Sequence, residues 1–223
     1  MIEFSRLNFF FYLVFGFFLF FLYYLFSQHF TFNNCFYRRC AISRKLREWY
    51  PGEVLHVMNR GVDHQTIFKD TNDYDFFLST IQNLMKRYDF KIHTYCLMTN
   101  HYHLLIETGQ IEIWKIMKML NSQYARYYNL RHKRDGTLFR GRYKSVQIRD
   151  DAHFLQVSRY ICMNPVRAFM VDLPGQYAWS SYLTLMGQYN DRITSVDRIM
   201  SYFDNKASEL NKFITSDIDD NVL

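Results

Sequence analysis

The sequence predicts an α+β fold, an antiparallel sheet with helices mainly on one face, on three observations. Residues 53–61, 90–98 and 101–107 are apolar, strand-like runs, whereas residues 70–88 and 111–131 repeat their apolar positions at helical spacing. Thr99 and Asn100 alone join the second and third strand candidates, a connection short enough for a hairpin. The resulting order, β, α, β, β, α, β, α, suits an antiparallel sheet covered by helices.

Each element has its own reason. "EVLHVMNRG" alternates, is rich in Val and Leu, and meets Gly61, so it reads as a first strand. The first helix places Phe76, Phe77, Ile81, Leu84 and Met85 on one side, with Asp70, Thr71, Asn72 or Asp73 available as its cap. "FKIHTYCLM" and "HYHLLIE" follow as strands. The second helix is lined by Ile113, Ile116, Met117, Leu120 and Tyr124. "TLFRGRYKSVQI" reads as one bent strand or a short hairpin with Gly141 at the bend. A third helix begins at Asp151, and Pro165 is expected to stop it after Asn164. The closest common architecture is the ferredoxin-like split. Residues 188–223, which end on Asp217, Asp219 and Asp220, read as a C-terminal tail.

Composition narrows the function. With 223 residues and 49% hydrophobic content, the chain can bury a sizeable core. The four cysteines form no CxxC pair that a second could match for zinc, and they imply no disulfide framework, so a reducing cytoplasm is expected. The formal charge is +6, and between residues 110 and 149 ten Lys or Arg face only Glu112 and Asp135. Such concentration suits a phosphate backbone or a solvated face.

Residues 1–42 differ from the rest. "LNFFFYLVFGFFLFFLYYLF", residues 7–26, holds twenty residues without a charge, the length of a bilayer span. Arg38, Arg39, Arg44, Lys45 and Arg47 follow it, an orientation that would keep the C-terminal domain in the cytoplasm, anchored at the inner membrane. The Phe, Tyr, Leu and Asn bias is equally that of noncoding DNA translated from a start codon placed too far upstream. The domain proper is expected at residues 43–187.

The chemistry gathers at two places. On a strand, His101 and His103 project from one face while Tyr102 points to the other, so two imidazoles can converge on one cation. Alone, HxH is a weak metal signal. In the third helix, Phe154, Leu155, Ser158, Ile161 and Cys162 make the core stripe. Gln156, Tyr160 and Asn164 make a second one at i, i+4 and i+8. That stripe sets a phenol and an amide one turn apart, either as nucleophile and oxygen ligand or as ordinary packing at a helix edge.

Four motifs in order, "REWYPGEVLHVMNRG", "MTNHYHLLIE", "FRGRYKS" and "RYICMNPVRA", resemble the REP-associated tyrosine transposases. These are relatives of the single-tyrosine insertion-sequence transposases within the HUH endonuclease superfamily. The resemblance implies an enzyme that nicks and rejoins single-stranded, hairpin-associated DNA through a 5′-phosphotyrosine. It implies Tyr160 as nucleophile, and His101, His103 and Asn164 as ligands of Mg²⁺ or Mn²⁺. Arg126, Arg140, Arg142 and Lys144 are the expected DNA contacts, with Asn59 and Arg60 beside the site. Lys115, Lys118 and Arg131 could add phosphate neutralisation, and Tyr124, Tyr127, Tyr128 and Tyr143, interleaved with the basic residues, could stack on unpaired bases, although several of these aromatics are expected to be core instead. Whether one chain or a homodimer completes the site stays open. A noncatalytic DNA-binding regulator on the same fold, or a membrane-anchored domain, is the competing reading.

Overall fold

Val54–Arg60 forms strand β1, and both of its long edges are used. On one side it pairs antiparallel with β3 (His101–Thr108), and on the other with β4 (Lys144–Gln147). Strand β2 (Phe90–Met98) pairs with β3, giving the order β2-β3-β1-β4, all antiparallel. Because β1 and β2 are separated by β3, and β3 and β4 by β1, two strand–helix–strand units interleave, which is the ferredoxin-like split. The structure, a computed structural model, describes residues 49–216. The apolar run at 7–26, the domain start expected at 43 and the acidic residues Asp217, Asp219 and Asp220 lie outside the described residues. Among the described residues, no helix is long and apolar enough to cross a membrane.

The two crossover helices share a face. Helix α1 (Thr71–Arg87) starts where Asp70 accepts a hydrogen bond from the Asn72 backbone N–H at 3.0 Å, satisfying an otherwise orphan donor. Helix α2 is Ile113–Arg131. Phe77, Ile81 and Leu84 from α1 meet Ile116, Met117, Leu120, Tyr124 and Tyr128 from α2 over Leu55, Val57, Tyr102, Leu104 and Ile106 of the sheet. Tyr102 is fully buried, and its hydroxyl donates to Asn121 Oδ1 at 2.7 Å, which is why a phenol is tolerated there.

The opposite face is covered too. Helix α3 (Asp151–Arg167), capped by Asp150, lays Phe154, Val157, Ile161 and Cys162 on Val54, Cys96, Met98 and Leu105. Helices are therefore not confined to one face, and β2 accordingly is buried at every position but Lys91. The chain from 188 onward is more than a tail. Within it, α5 (Asp197–Ser201) and α6 (Ala207–Thr215), which follow the short α4 (Tyr182–Leu185), bury Ile199, Leu210 and Ile214 against α3. The exposed edge of β2 is closed by backbone bonds, Leu97 N–H to the Trp179 carbonyl at 2.9 Å and Ser181 N–H to the Tyr95 carbonyl at 3.0 Å.

Two local expectations change. The segment at 137–148 is neither a long strand nor a hairpin: only Lys144–Gln147 pairs, preceded by an isolated bridge between Gly61 and Phe139. Gly61 is obligatory there, since a Cβ would lie 2.3 Å from the Gln65 carbonyl oxygen. Nor does Pro165 stop α3. Proline removes one N–H, the one that would reach back to Ile161, while the next turn closes through Ala168 N–H to the Asn164 carbonyl at 2.9 Å. Asn164 consequently sits in helix rather than at a frayed end.

Candidate active site

The site forms where α3 crosses the face of the sheet that carries His101 and His103. Register places His103 opposite Met58 and Cys96, and His101 opposite Arg60 and Met98. Residues opposite one another share a face, so the histidines look toward α3. Their ring centroids are 5.0 Å apart and nearly perpendicular. Tyr160 presents its ring edge-on to His103 at 5.5 Å. Asn164, one turn on, is buried, and its Nδ2 donates to the Tyr160 carbonyl at 2.8 Å. Tyr160 therefore meets His103, with His101 beside His103 and Asn164 one turn along α3 from Tyr160.

Each candidate ligand has one polar atom already engaged. His101 Nδ1 lies 2.6 Å from Asn100 Oδ1. An amide oxygen only accepts, so the proton of the neutral His101 ring sits on Nδ1 and Nε2 keeps its lone pair. The Asn100 orientation is fixed in turn by its Nδ2, which donates to the His64 carbonyl at 3.4 Å. His103 Nδ1 is 2.9 Å from His56 Nε2. In Asn164 the amide nitrogen is spent, and Oδ1 is the atom that could serve as a ligand. Such outer partners are what hold metal-binding imidazoles in one tautomer and orientation.

Electrostatics keep the imidazoles neutral. Burial holds His103 well below the ordinary histidine value, with His56 and His101 adding to the effect. Burial, then the neighbouring His64, lowers His101. Burial, assisted by His153, brings His56 down to about 4. A neutral ring is the form that ligates a cation. Among the described residues, no group of three or more His, Cys, Asp or Glu is arranged to hold a metal. A cation here would rest on two imidazoles and an amide, leaving its remaining positions for water and phosphate oxygens, and the donor set fits such an open site.

The proposed DNA contacts separate into groups. Lys144 lies opposite Met58 on the edge strand, sharing the histidine face, and is exposed, as are Arg140 and Arg142 in the preceding loop. That loop is drawn to the site by Arg140 N–H donating to the Arg60 carbonyl at 3.0 Å. Arg60 is half-buried, its guanidinium 3.3 Å from His64 Nε2. Arg126 is elsewhere: with Lys133 and Arg134 it lines an open basin of about 440 Å³ near the end of α2.

Other expected contacts are engaged within the protein. Asn59 is buried on the far face, where its Nδ2 donates to the Gly141 carbonyl at 3.3 Å, so it shapes the basic loop from behind and does not reach outward to DNA. Arg131 is paired with carboxylates. It is committed to Asp70 at 2.7 Å and to the fully buried Asp73 at 2.6 Å, locking α2 to the start of α1. Tyr124 and Tyr128 are core residues whose hydroxyls donate to the Ile67 and Thr66 carbonyls, and Tyr143 is buried. Tyr127 stacks on Phe76 at 3.7 Å. Tyr124 and Tyr128 lie beside basic residues in sequence but on the buried side of α2.

His56 was not singled out by the sequence. The signal was present, an ionisable residue at an inward-facing position of a Val- and Leu-rich strand, but its partner is set by β1–β3 register.

Comparison with known proteins shows the family and the fold. The model of the family described as "Transposase IS200 like" matches residues 53–164, half of the chain, and spans β1, both histidines, Tyr160 and Asn164. Among solved structures, the chain is similar to a REP-associated tyrosine transposase bound to a REP hairpin. The TM-score is 0.58 at 16% identity, over 67% of this chain and 90% of that one. A protein of Deinococcus radiodurans R1, provisionally assigned as a transposase, matches at a TM-score of 0.38 and 18% identity, over 53% of this chain and 95% of that one. No curated protein sequence is matched significantly. Residues 53–164 carry the fold, the histidine pair and the helical tyrosine together, and the chain belongs to the IS200-like transposase family.

Proposed function

We propose that this transposase nicks and rejoins single-stranded, hairpin-associated DNA with Tyr160 as its nucleophile. The carrying observation is the edge-on approach of the Tyr160 ring to His103 at 5.5 Å, with Asn164 tied to the Tyr160 carbonyl. The hairpin held by the structurally similar transposase supports the substrate class. His101 Nε2, His103 Nε2 and Asn164 Oδ1 would hold Mg²⁺ or Mn²⁺. When bound, the cation supplies Lewis-acid polarisation of the scissile phosphate.

The chain's own residues do the rest. The Tyr160 hydroxyl oxygen attacks phosphorus, the bond from phosphorus to the 3′ oxygen breaks, and that oxygen leaves as a hydroxyl carrying a proton. The phosphoryl group stays on Tyr160 as a 5′-phosphotyrosine. A 3′-hydroxyl from another strand end then attacks the same phosphorus and returns the phenol, so rejoining needs no ATP. Arg140, Arg142 and Lys144 flank this face and neutralise the backbone of the incoming strand.

The test is incubation of the chain with pooled hairpin single strands and Mn²⁺, read as a covalent protein–DNA adduct on a denaturing gel. Wild type gives the adduct and Tyr160→Phe gives none, while both bind the hairpin. His101→Ala and His103→Ala cut adduct formation at least 100-fold. An undiminished adduct from Tyr160→Phe removes Tyr160 as nucleophile, and hairpin binding by wild type without any adduct makes the protein a noncatalytic binder.

A further inference from the structure

His56 lies in the middle of β1, only 6% exposed, among residues that are otherwise apolar on that stretch. Its Nε2 is 2.9 Å from His103 Nδ1, and the two rings are stacked with centroids 5.1 Å apart and planes 29° from parallel. Its other neighbour is the nucleophile: the Tyr160 ring meets it edge-on at 6.0 Å. An imidazole so placed touches both halves of the site.

One proton lies between the two imidazoles, and its position matters. If His56 Nε2 carried it and donated, a neutral His103 would hold its own proton on Nε2 and have no lone pair for a cation there. If His103 Nδ1 carries it and His56 accepts, His103 Nε2 is bare. The second arrangement repeats what Asn100 Oδ1 imposes on His101. A carboxylate would accept the same bond, but at this depth it would bury a negative charge, a cost of several kcal/mol. A neutral imidazole accepts without that cost.

We propose that His56 is the positioning residue of the cation site, accepting the His103 Nδ1 proton so that His103 Nε2 faces the ion. The inference rests on the reading of His103 as a ligand given under Proposed function. It concerns cation affinity and ring orientation, and it makes no demand on hairpin recognition.

An amide pair tests it. In His56→Gln the side-chain amide ends where Nε2 stood and can still accept from His103, whereas in His56→Asn it ends one bond short, near the place of Nδ1. Mn²⁺ affinity of the full-length chain is measured by electron paramagnetic resonance titration, without DNA. His56→Asn is expected to bind Mn²⁺ 10–100-fold more weakly than wild type, the usual cost of losing an outer partner, and His56→Gln within about 3-fold of it. Hairpin binding in EDTA stays unchanged in both, and nitrogen NMR of wild type shows His103 protonated on Nδ1. Equal Mn²⁺ affinity in wild type and His56→Asn overturns this inference alone. Equal losses in the Asn and Gln variants, with lowered melting temperatures, make His56 a packing residue and also overturn it. A wild-type chain that takes up no Mn²⁺ overturns the cation reading itself.

Discussion

In α3 the side-chain amide of Asn164 donates to the carbonyl oxygen of Tyr160 at 2.8 Å, so the proposed oxygen ligand is anchored to the backbone of the proposed nucleophile. A shift of one residue is transmitted to the other along a single helical turn.

Removing that tether separates cation chemistry from folding. Asn164→Ala loses one net hydrogen bond, about 1 kcal/mol, and with it the amide oxygen. Adduct formation in Mn²⁺ is expected to fall about 10–100-fold, while urea unfolding shows a loss of no more than about 1 kcal/mol. Cleavage at the wild-type rate would exclude Asn164 from the site.

Basic residues divide into DNA-facing and structural sets, and salt dependence distinguishes them. Arg142→Ala and Lys144→Ala should each reduce the slope of log affinity against log salt by about 1, whatever the hairpin sequence. Arg131→Ala should leave the slope unchanged, because its guanidinium is held by Asp70 and Asp73. Fluorescence anisotropy across a salt series measures both, and a slope lowered by Arg131→Ala would return that residue to the interface.

Asp73 is fully buried and also takes bonds from His132 Nε2 and the Lys69 N–H at 3.0 and 2.8 Å. Asp73→Ala leaves the His132 and Lys69 donors unsatisfied, while Arg131 keeps its bonds to Asp70, for a loss of about 1–3 kcal/mol. Urea denaturation gives the value. A loss below about 1 kcal/mol would mean that the network is solvated in solution.

Acid should weaken the fold through His93. Burial lowers this imidazole below its ordinary value, outweighing its 2.9 Å contact with Glu107. The unfolded chain therefore binds a proton at a higher pH than the folded one, and stability falls as pH drops below the ordinary histidine value of about 6.5. His93→Gln removes that contribution, so its unfolding midpoint should vary less between pH 7.5 and 5.5 than that of wild type. Parallel pH profiles for the two proteins would refute the assignment.

The sequence by itself determined the strand and helix order, the cap of α1 to within residues 70–73, the shared face of His101 and His103, and the i, i+4 relation of Tyr160 to Asn164. All of these are local periodicities, read from spacing along the chain. Tertiary structure decided the rest, because it depends on which segments pair. Register between β1 and β3 brought His56 to His103, though 47 residues separate them. Packing turned Tyr128 inward and gave Arg131 to Asp73, since a residue at the margin of a helix face meets core or solvent only when its neighbours are in place. The crossing of α3 over β2 and β3 converted two weak motifs into one site, a proximity no spacing rule contains.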